Sequence, residues 1–344
     1  MGSSGESDRT SPAGGGLGRP SPRHTVPRGP WELVDKSEIG PWVAYLWARL
    51  GEFLARNLPE SVTPPILSAL RFLYSRLSKR RMLMMRRHLE KVLGPMGESE
   101  IEERLARANL LYARYWYETF RLPAMSPEDV LSRLETRNEE VIAEAVESGR
   151  GLVLALPHLG NWDFAGCYVS LKYKPVLAVA EYLKPPAAFA HWKKIRERLG
   201  MRIVALDGTT EPAKQAMRYL RSGGIVGLVA DRWLGGASIP VDFFGEQTLV
   251  PAGPATLARR TDALLVPVGL YIRDDGKHLG IVDTPVVCPR TSDAKRDIAE
   301  ATQRLVERFE HLIRLDPEQW HVYTPFWPSD WEALGLEAPF KVRD

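Results

Sequence analysis

Cysteine is scarce: Cys167 and Cys288 are the only two in 344 residues, too few for a disulfide framework. Neither has neighbours at metal-ligand spacing or the flanking residues of a thiol enzyme. A reducing compartment is the simplest setting for such a chain. Long apolar runs are absent as well, and none approaches the roughly 20 residues of a membrane-spanning helix. The first thirty residues carry no apolar segment behind their charges, so export through a secretory signal is not expected. The protein should therefore be soluble or peripheral. Excess charge of one sign is missing too: the net charge is +3, which gives no support to a nucleic-acid partner. Without G-x-S-x-G no serine nucleophile elbow is expected. Without H-E-x-x-H or paired cysteines no metal site is expected, and without a G-x-x-x-x-G-K-S/T loop nucleotide hydrolysis has no support.

Apolar residues are ample, and the length allows one large domain or two ordinary ones. Residues 1–30 are rich in Gly, Ser, Pro and Arg, a composition that predicts a disordered head. Residues 31–344 show no internal repeat and no second Pro-rich linker, so one folded domain is the economical reading. Its first part, residues 31–135, reads as helical. Pro41 to Leu58 sets Trp42, Tyr45, Leu46, Leu50, Phe53 and Leu54 at helical spacing, a face that suits either a core or a membrane interface. Pro65 to Leu93 ends in a basic stretch, with Arg76, Lys79, Arg80, Arg81, Arg86 and Arg87 around Met82 to Met85. It can lie on anionic lipid or form a solvated face over a Met-filled core. A helix pair is expected over Ser99 to Arg121, and Ser126 is a good cap for a further helix. No convincing strand precedes about residue 135.

The second part, residues 136–344, alternates. Strand candidates are Gly151 to Leu156, Pro175 to Ala180, Arg202 to Ala205, Ile225 to Ala230, Ala263 to Ile272 and Leu279 to Asp283. Helices fall between them at Trp162 to Leu171, Ala187 to Leu199, Glu211 to Arg221 and Gly253 to Thr261, and Ala294 to Leu315 closes the domain. This predicts an α/β fold with a largely parallel central sheet flanked by helices.

Ligands of such sheets sit beyond the carboxyl ends of the strands. The stretch GLVLALPHLGNWDFAG runs from a strand through His158 to Asp163. Positions five apart point about 140° away from each other on a helix and to opposite faces of a strand, so these two meet only if the chain bends, at Gly160. A neutral imidazole held by a carboxylate is a plausible general base. Glu181, with Tyr182 and Lys184 behind it, and Asp231-Arg232 end two further strands, so acids and a histidine gather on one edge. The plainer readings are that Asp163 caps its helix and that Glu181 and Asp231 pair with Arg196 or Arg232. In VDFFGEQTLVPAGPATLARR, helix amides near Gly253 with Arg259 and Arg260 could hold an anion; a tight turn with two core phenylalanines is the alternative. In PEQWHVYTPFW, the rings of Trp320, Tyr323, Phe326 and Trp327 could wall an acyl-chain groove or pack the last helix.

Taken together, RRHLEKVLG, YARYWYETFRLP, the PHLGNWD box, the ADR step and DFFGE followed by VPAGPA resemble the bacterial lysophospholipid acyltransferase superfamily. Within it the chain is most similar to the lipid A late-acyltransferase branch, and in particular to the actinobacterial phosphatidylinositol mannoside acyltransferases, over roughly Trp42 to Trp327. The resemblance implies a glycerol-3-phosphate acyltransferase-like fold and transfer of a long acyl chain, palmitoyl first among them, from acyl-CoA to the mannose 6-hydroxyl of a phosphatidylinositol mannoside. It implies acyl-CoA as co-substrate with no cofactor or metal, an anionic glycolipid acceptor, no nucleic acid, and a peripheral position on the cytoplasmic face of the plasma membrane. By the same resemblance His158 is the general base, Asp163 the acidic member of the box, and Asp231 a later acid that can orient the histidine. Many late acyltransferases carry Glu where this box has Asp163, and which carboxylate holds His158 stays open. Glu181, Arg196, Arg232 and Glu246 are carried over as substrate-binding. Transfer would be direct, with backbone amides or a cationic side chain on the oxyanion. The N-terminal helices and aromatics would hold the acyl tail, and Arg80, Arg81, Arg86 and Arg87 would approach anionic lipid. The alternatives are another glycolipid or lysophospholipid acceptor, or a catalytically silent lipid-binding protein.

Overall fold

The computed structural model describes residues 39–57, 79–181, 185–233 and 235–340. The expected disordered head, the start of the Pro65 to Leu93 helix, Tyr182 and Lys184 lie outside the described residues. Helices α1 (Ile39–Asn57), α2 (Lys79–Leu93), α3 (Glu98–Arg121) and α4 (Pro127–Arg133) come first. The stretch expected to be a helix pair is the single helix α3, whose buried Ile101, Leu105, Ala108, Leu111 and Tyr115 keep one uninterrupted face. Ser126 caps α4 in a capping box with Asp129, a device that typically contributes about 1 kcal/mol.

A short strand, β1 (Leu134–Arg137), stands at the boundary where only helix was expected; it is held in the sheet by a parallel partner at the far end of the chain. Next come α5 (Glu140–Glu147), β2 (Leu152–Leu156), α6 (Trp162–Lys172), β3 (Val176–Glu181), α7 (Pro186–Arg198), β4 (Arg202–Leu206), α8 (Glu211–Arg221) and β5 (Ile225–Val229). After these the chain forms an antiparallel hairpin, β6 (Ser238–Phe243) with β7 (Glu246–Pro251), where the sequence predicts only a turn. Phe244 and Gly245 take positive φ at its tip, and Phe243 and Phe244 are buried, as the plainer reading had it. The chain ends with α9 (Gly253–Thr261), β8 (Leu264–Ile272), β9 (His278–Val282), α10 (Ala294–Leu315) and α11 (Pro328–Ala333).

Among the described residues the main sheet has seven strands in the order β1-β9-β8-β2-β5-β3-β4. All neighbours run parallel except β8 and β9, which a short connection joins antiparallel. The central strand β2 is buried throughout. Its Leu152, Leu154 and Leu156 join the core under α6 and α7, while Val153 and Ala155 join the opposite core under α8, α9 and α10. This two-sided burial explains the unbroken apolar run.

Helix α2 bears on one expectation. Three of its basic residues have partners inside the protein rather than lying free on a surface. Arg81 is buried between the rings of Tyr112 and Tyr323. Arg86 pairs with Glu90 and Glu98, and Arg87 donates to Asp330 at 2.7 Å. His88, also on α2, is buried against the other Asp330 oxygen at 2.9 Å.

Candidate active site

Strand β2 continues through α6 to β3, two places away, and β5 is later inserted between them. The carboxyl ends of β2 and β5 thus flank a switch point, where open α/β sheets bind ligands. The two strands pair in register to Leu156 opposite Val229, and the Ala230 amide donates to the Leu156 carbonyl at 2.8 Å. Two residues beyond that last pair stand His158 and Asp231. Register alone therefore brings the imidazole to the carboxylate.

Asp231 is fully buried and accepts three N–H groups. The His158 amide donates to Oδ2 at 2.9 Å, the Trp320 indole to Oδ2 at 2.8 Å, and the His158 Nδ1 to Oδ1 at 2.5 Å. Burial pushes this carboxyl up, but the neighbouring imidazole and the indole and amide donors outweigh it and hold Asp231 below the usual carboxylate range. Hydrogen bonds to a charged group contribute about 1.5–3 kcal/mol each, so several together can offset its desolvation. An ionised Asp231 fixes the proton of neutral His158 on Nδ1 and leaves the Nε2 lone pair available.

Asp163 does not hold His158. It accepts from Arg196 Nε at 2.7 Å and Nη2 at 3.2 Å, with the Tyr115 hydroxyl at 3.4 Å. The first turn of α6 aims it at α7, away from the β5 end. Nor does it cap α6, since the Asn161 side chain accepts from the Phe164 amide at 3.0 Å. The bend expected at Gly160 is present: its φ is +60°, and a Cβ would lie 2.0 Å from the Leu270 carbonyl oxygen. The imidazole of His158 rests edge-on against Trp162, ring centroids 5.3 Å apart.

Beside this loop a cavity of about 340 Å³ runs between the sheet and α6 and α7. Leu154, Leu156, Val176, Trp192, Met201 and Val268 make its walls apolar, while His158, Asp163, Arg196, Arg232 and His321 supply its polar groups. Four expected site residues therefore meet around one cavity, with Asp231 behind His158. Arg232 lines it while donating to Thr324 at 3.1 Å. Glu181 is the last residue of β3.

Glu246 is elsewhere. It receives Lys91 Nζ at 2.6 Å and both the amide and hydroxyl of Ser329, which pin the hairpin to α2 and α11. Of the anion site considered near Gly253, Arg259 is instead paired with buried Asp297 at 2.8 Å. Trp320, Phe326 and Trp327 pack on Phe243 and Phe244 rather than lining the cavity. Two residues of that segment were missed. Trp320 is a hydrogen-bond donor to the site as well as a packing ring, and His321 enters the cavity wall; a polar residue inside an aromatic run was the available signal.

The family of bacterial lipid A biosynthesis acyltransferases matches residues 37–328. The phosphatidylinositol mannoside acyltransferase of Mycolicibacterium smegmatis is 35% identical over 300 residues, 87% of this chain and 96% of that protein. Its namesake from Mycobacterium tuberculosis is 36% identical over 250 residues, 72% of this chain and 77% of its own. The lipid A biosynthesis acyltransferase of Haemophilus influenzae is 20% identical over 292 residues, 84% of this chain and 88% of that protein.

Proposed function

Because the chain belongs to the bacterial lipid A biosynthesis acyltransferase family and is an acyltransferase, we propose that it moves a long acyl chain from acyl-CoA to the mannose 6-hydroxyl of a phosphatidylinositol mannoside. The names of the mycobacterial relatives point to that acceptor. The observation that carries the chemistry is an imidazole held by a buried carboxylate at the edge of an apolar cavity.

His158 Nε2 takes the acceptor proton as the hydroxyl oxygen attacks the thioester carbonyl. The tetrahedral intermediate then expels the CoA sulfur, which takes the proton back. Asp231 stays ionised and stabilises the imidazolium between the two steps. Asp163 acts at one remove, holding Arg196 on the cavity wall, where it and Arg232 meet the polar part of the substrates. The cavity follows β3 from Ala180 to Val176, about 13 Å at roughly 3.3 Å per residue. Each methylene buried there is worth about 0.8 kcal/mol, so the acyl tail supplies much of the binding. No cofactor or metal takes part.

Among the described residues no helix is long and apolar enough to cross a membrane. Trp42, Leu46, Leu50 and Phe53 recur along one side of α1 and are each 45–62% exposed. This stripe suits shallow insertion at the cytoplasmic face of the plasma membrane. The test is release of CoA thiol from palmitoyl-CoA over a panel of purified glycolipid and lysophospholipid acceptors, with products identified by mass spectrometry. A phosphatidylinositol mannoside should be acylated, and His158→Ala should lower turnover at least ~10²-fold. No thiol release with any acceptor would make the chain a silent lipid binder, and turnover on a different acceptor would replace this one.

A further inference from the structure

The segment from Trp320 to Tyr323 is tied to the catalytic loop by backbone. Leu159 bridges to Trp320, and the His321 amide donates to the His158 carbonyl at 2.7 Å. His321 is 7% exposed, lines the same cavity as His158, and lies against the same Trp162 indole, ring centroids 6.4 Å apart. Its Nδ1 is hydrogen-bonded to the Tyr323 hydroxyl at 2.7 Å, whereas its Nε2 is buried with no partner among protein atoms. Among the described residues nothing pairs with that nitrogen, and a buried polar group in this state calls for a partner such as a water, an ion or a substrate atom.

Which nitrogen carries the proton is set by the neighbours. Burial, with Arg81 and His158 nearby, holds His321 well below the usual histidine range, so the ring is neutral. The Arg81 guanidinium can only donate. It lies over the Tyr323 ring, 4.0 Å from its centroid, and its charge acts to acidify that hydroxyl. With the Arg81 cation against its ring, the Tyr323 hydroxyl is the better donor of the pair and gives its proton to His321 Nδ1. The remaining imidazole proton is then on Nε2.

We propose that His321 is a second catalytic residue, whose neutral Nε2–H donates to the oxyanion formed on the thioester carbonyl, with Tyr323 and Arg81 as positioning residues that fix its tautomer. The inference rests on the acyl-transfer reading above. As the acceptor oxygen bonds to the carbonyl carbon and its proton passes to His158, the C=O electron pair moves onto oxygen and the Nε2–H of His321 meets it. Collapse restores C=O, breaks the C–S bond and returns the proton from His158 to sulfur. A neutral donor suits this place, because a second imidazolium would repel the one forming on the base.

The test compares wild type with His321→Leu, His321→Gln and Tyr323→Phe. It measures kcat and KM for palmitoyl-CoA with a phosphatidylinositol mannoside acceptor, melting temperature, and the histidine tautomer by 15N NMR. Losing one oxyanion donor should lower kcat of His321→Leu by roughly 10²–10³-fold with little change in KM. His321→Gln, whose amide N–H falls near the Nε2 position, should recover much of that loss. Wild type should show the Nε2–H tautomer, and Tyr323→Phe should mix the two forms and lower kcat by a smaller factor. A folded His321→Leu with turnover close to wild type would overturn the proposal, as would an Nδ1–H tautomer in wild type. Should His321→Leu fail to fold, the wild-type tautomer and the kcat of Tyr323→Phe decide. An absence of thiol release from wild type would instead overturn the acyl-transfer reading, and this inference with it.

Discussion

Replacing Asp231 by asparagine keeps the shape of the site and reverses its proton arrangement. In the native protein Oδ2 accepts from two N–H groups, the His158 amide at 2.9 Å and the Trp320 indole at 2.8 Å. An asparagine must therefore put its oxygen there and its NH₂ toward His158 Nδ1. The amide then donates to Nδ1, which becomes an acceptor, and the imidazole proton moves to Nε2, where the substrate hydroxyl needs a lone pair. The expected loss in kcat is roughly 10²–10⁴-fold, the worth of a general base, up to the ~10⁴ seen when a serine-protease triad is given the wrong tautomer in the same way. Stability should change little, because the two hydrogen bonds to Oδ2 survive. Steady-state thiol release gives kcat, and a denaturant titration shows that the fold is retained. Asp163→Asn is the control: it loosens Arg196 without touching the imidazole, so it should act mainly on KM and stability. Near-normal kcat in Asp231→Asn, or an equal fall in kcat alone in Asp163→Asn, would refute the assignment.

Other expectations concern the fold and the membrane. Gly160→Ala puts a Cβ 2.0 Å from the Leu270 oxygen at a φ of +60°; the left-handed backbone and the overpacking together should cost about 2–5 kcal/mol, measurable by urea denaturation, and unchanged stability would contradict the loop geometry. Asp330, between His88, Arg87 and the Phe326 amide, sits below the usual carboxylate range despite its burial. Its folded pKa is thus lower than its unfolded value of about 3.9. The stability this contributes is full above that value and disappears as pH falls through it toward the folded pKa. Melting temperature should be flat from neutrality to about pH 5 and drop below about pH 4, less steeply in Asp330→Asn; equal slopes for both proteins would rule out Asp330 as the cause. Leu46→Asp with Phe53→Asp should release the protein from anionic vesicles in a flotation assay while leaving thiol release from detergent-dispersed substrates intact. Unchanged flotation would sink the α1 surface.

What could be read from sequence depended on the distance over which each signal acts. The strand of Leu152 to Leu156, the cap at Ser126 and the helix from Glu211 to Arg221 are set by residues within a turn or two of each other, and they stand where periodicity and capping put them. The β6–β7 hairpin escaped because Phe243 and Phe244 break the alternation at its tip, and burial of both rings is decided by Trp320 and Trp327, far along the chain. Strand β1 has only four residues, LETR, and little apolar pattern; it is a strand because β9 lies beside it.

The same distance rule explains the site. Counting along strands placed His158, Asp163, Glu181, Asp231 and Arg232 at one sheet edge, but the spacing of the H-x-x-x-x-D box invites a pairing that the topology does not make. Two residues five apart across a strand-to-helix bend diverge, whereas two residues on adjacent strands at matching register converge. His158 and Asp231, 73 positions apart, are therefore the closer pair. Arginines on α2 repeat the lesson with opposite sign. A basic run reads as a surface because its neighbours in sequence carry no acid, yet Arg87 finds Asp330 across 243 positions, and Arg81 finds Tyr323. Once those partners are counted, Arg86 and Arg87 are already paired with carboxylates. Where the exposed apolar stripe of α1 carries the proposed membrane attachment, that attachment should respond weakly to salt, since Debye screening acts on charges and leaves apolar burial nearly untouched.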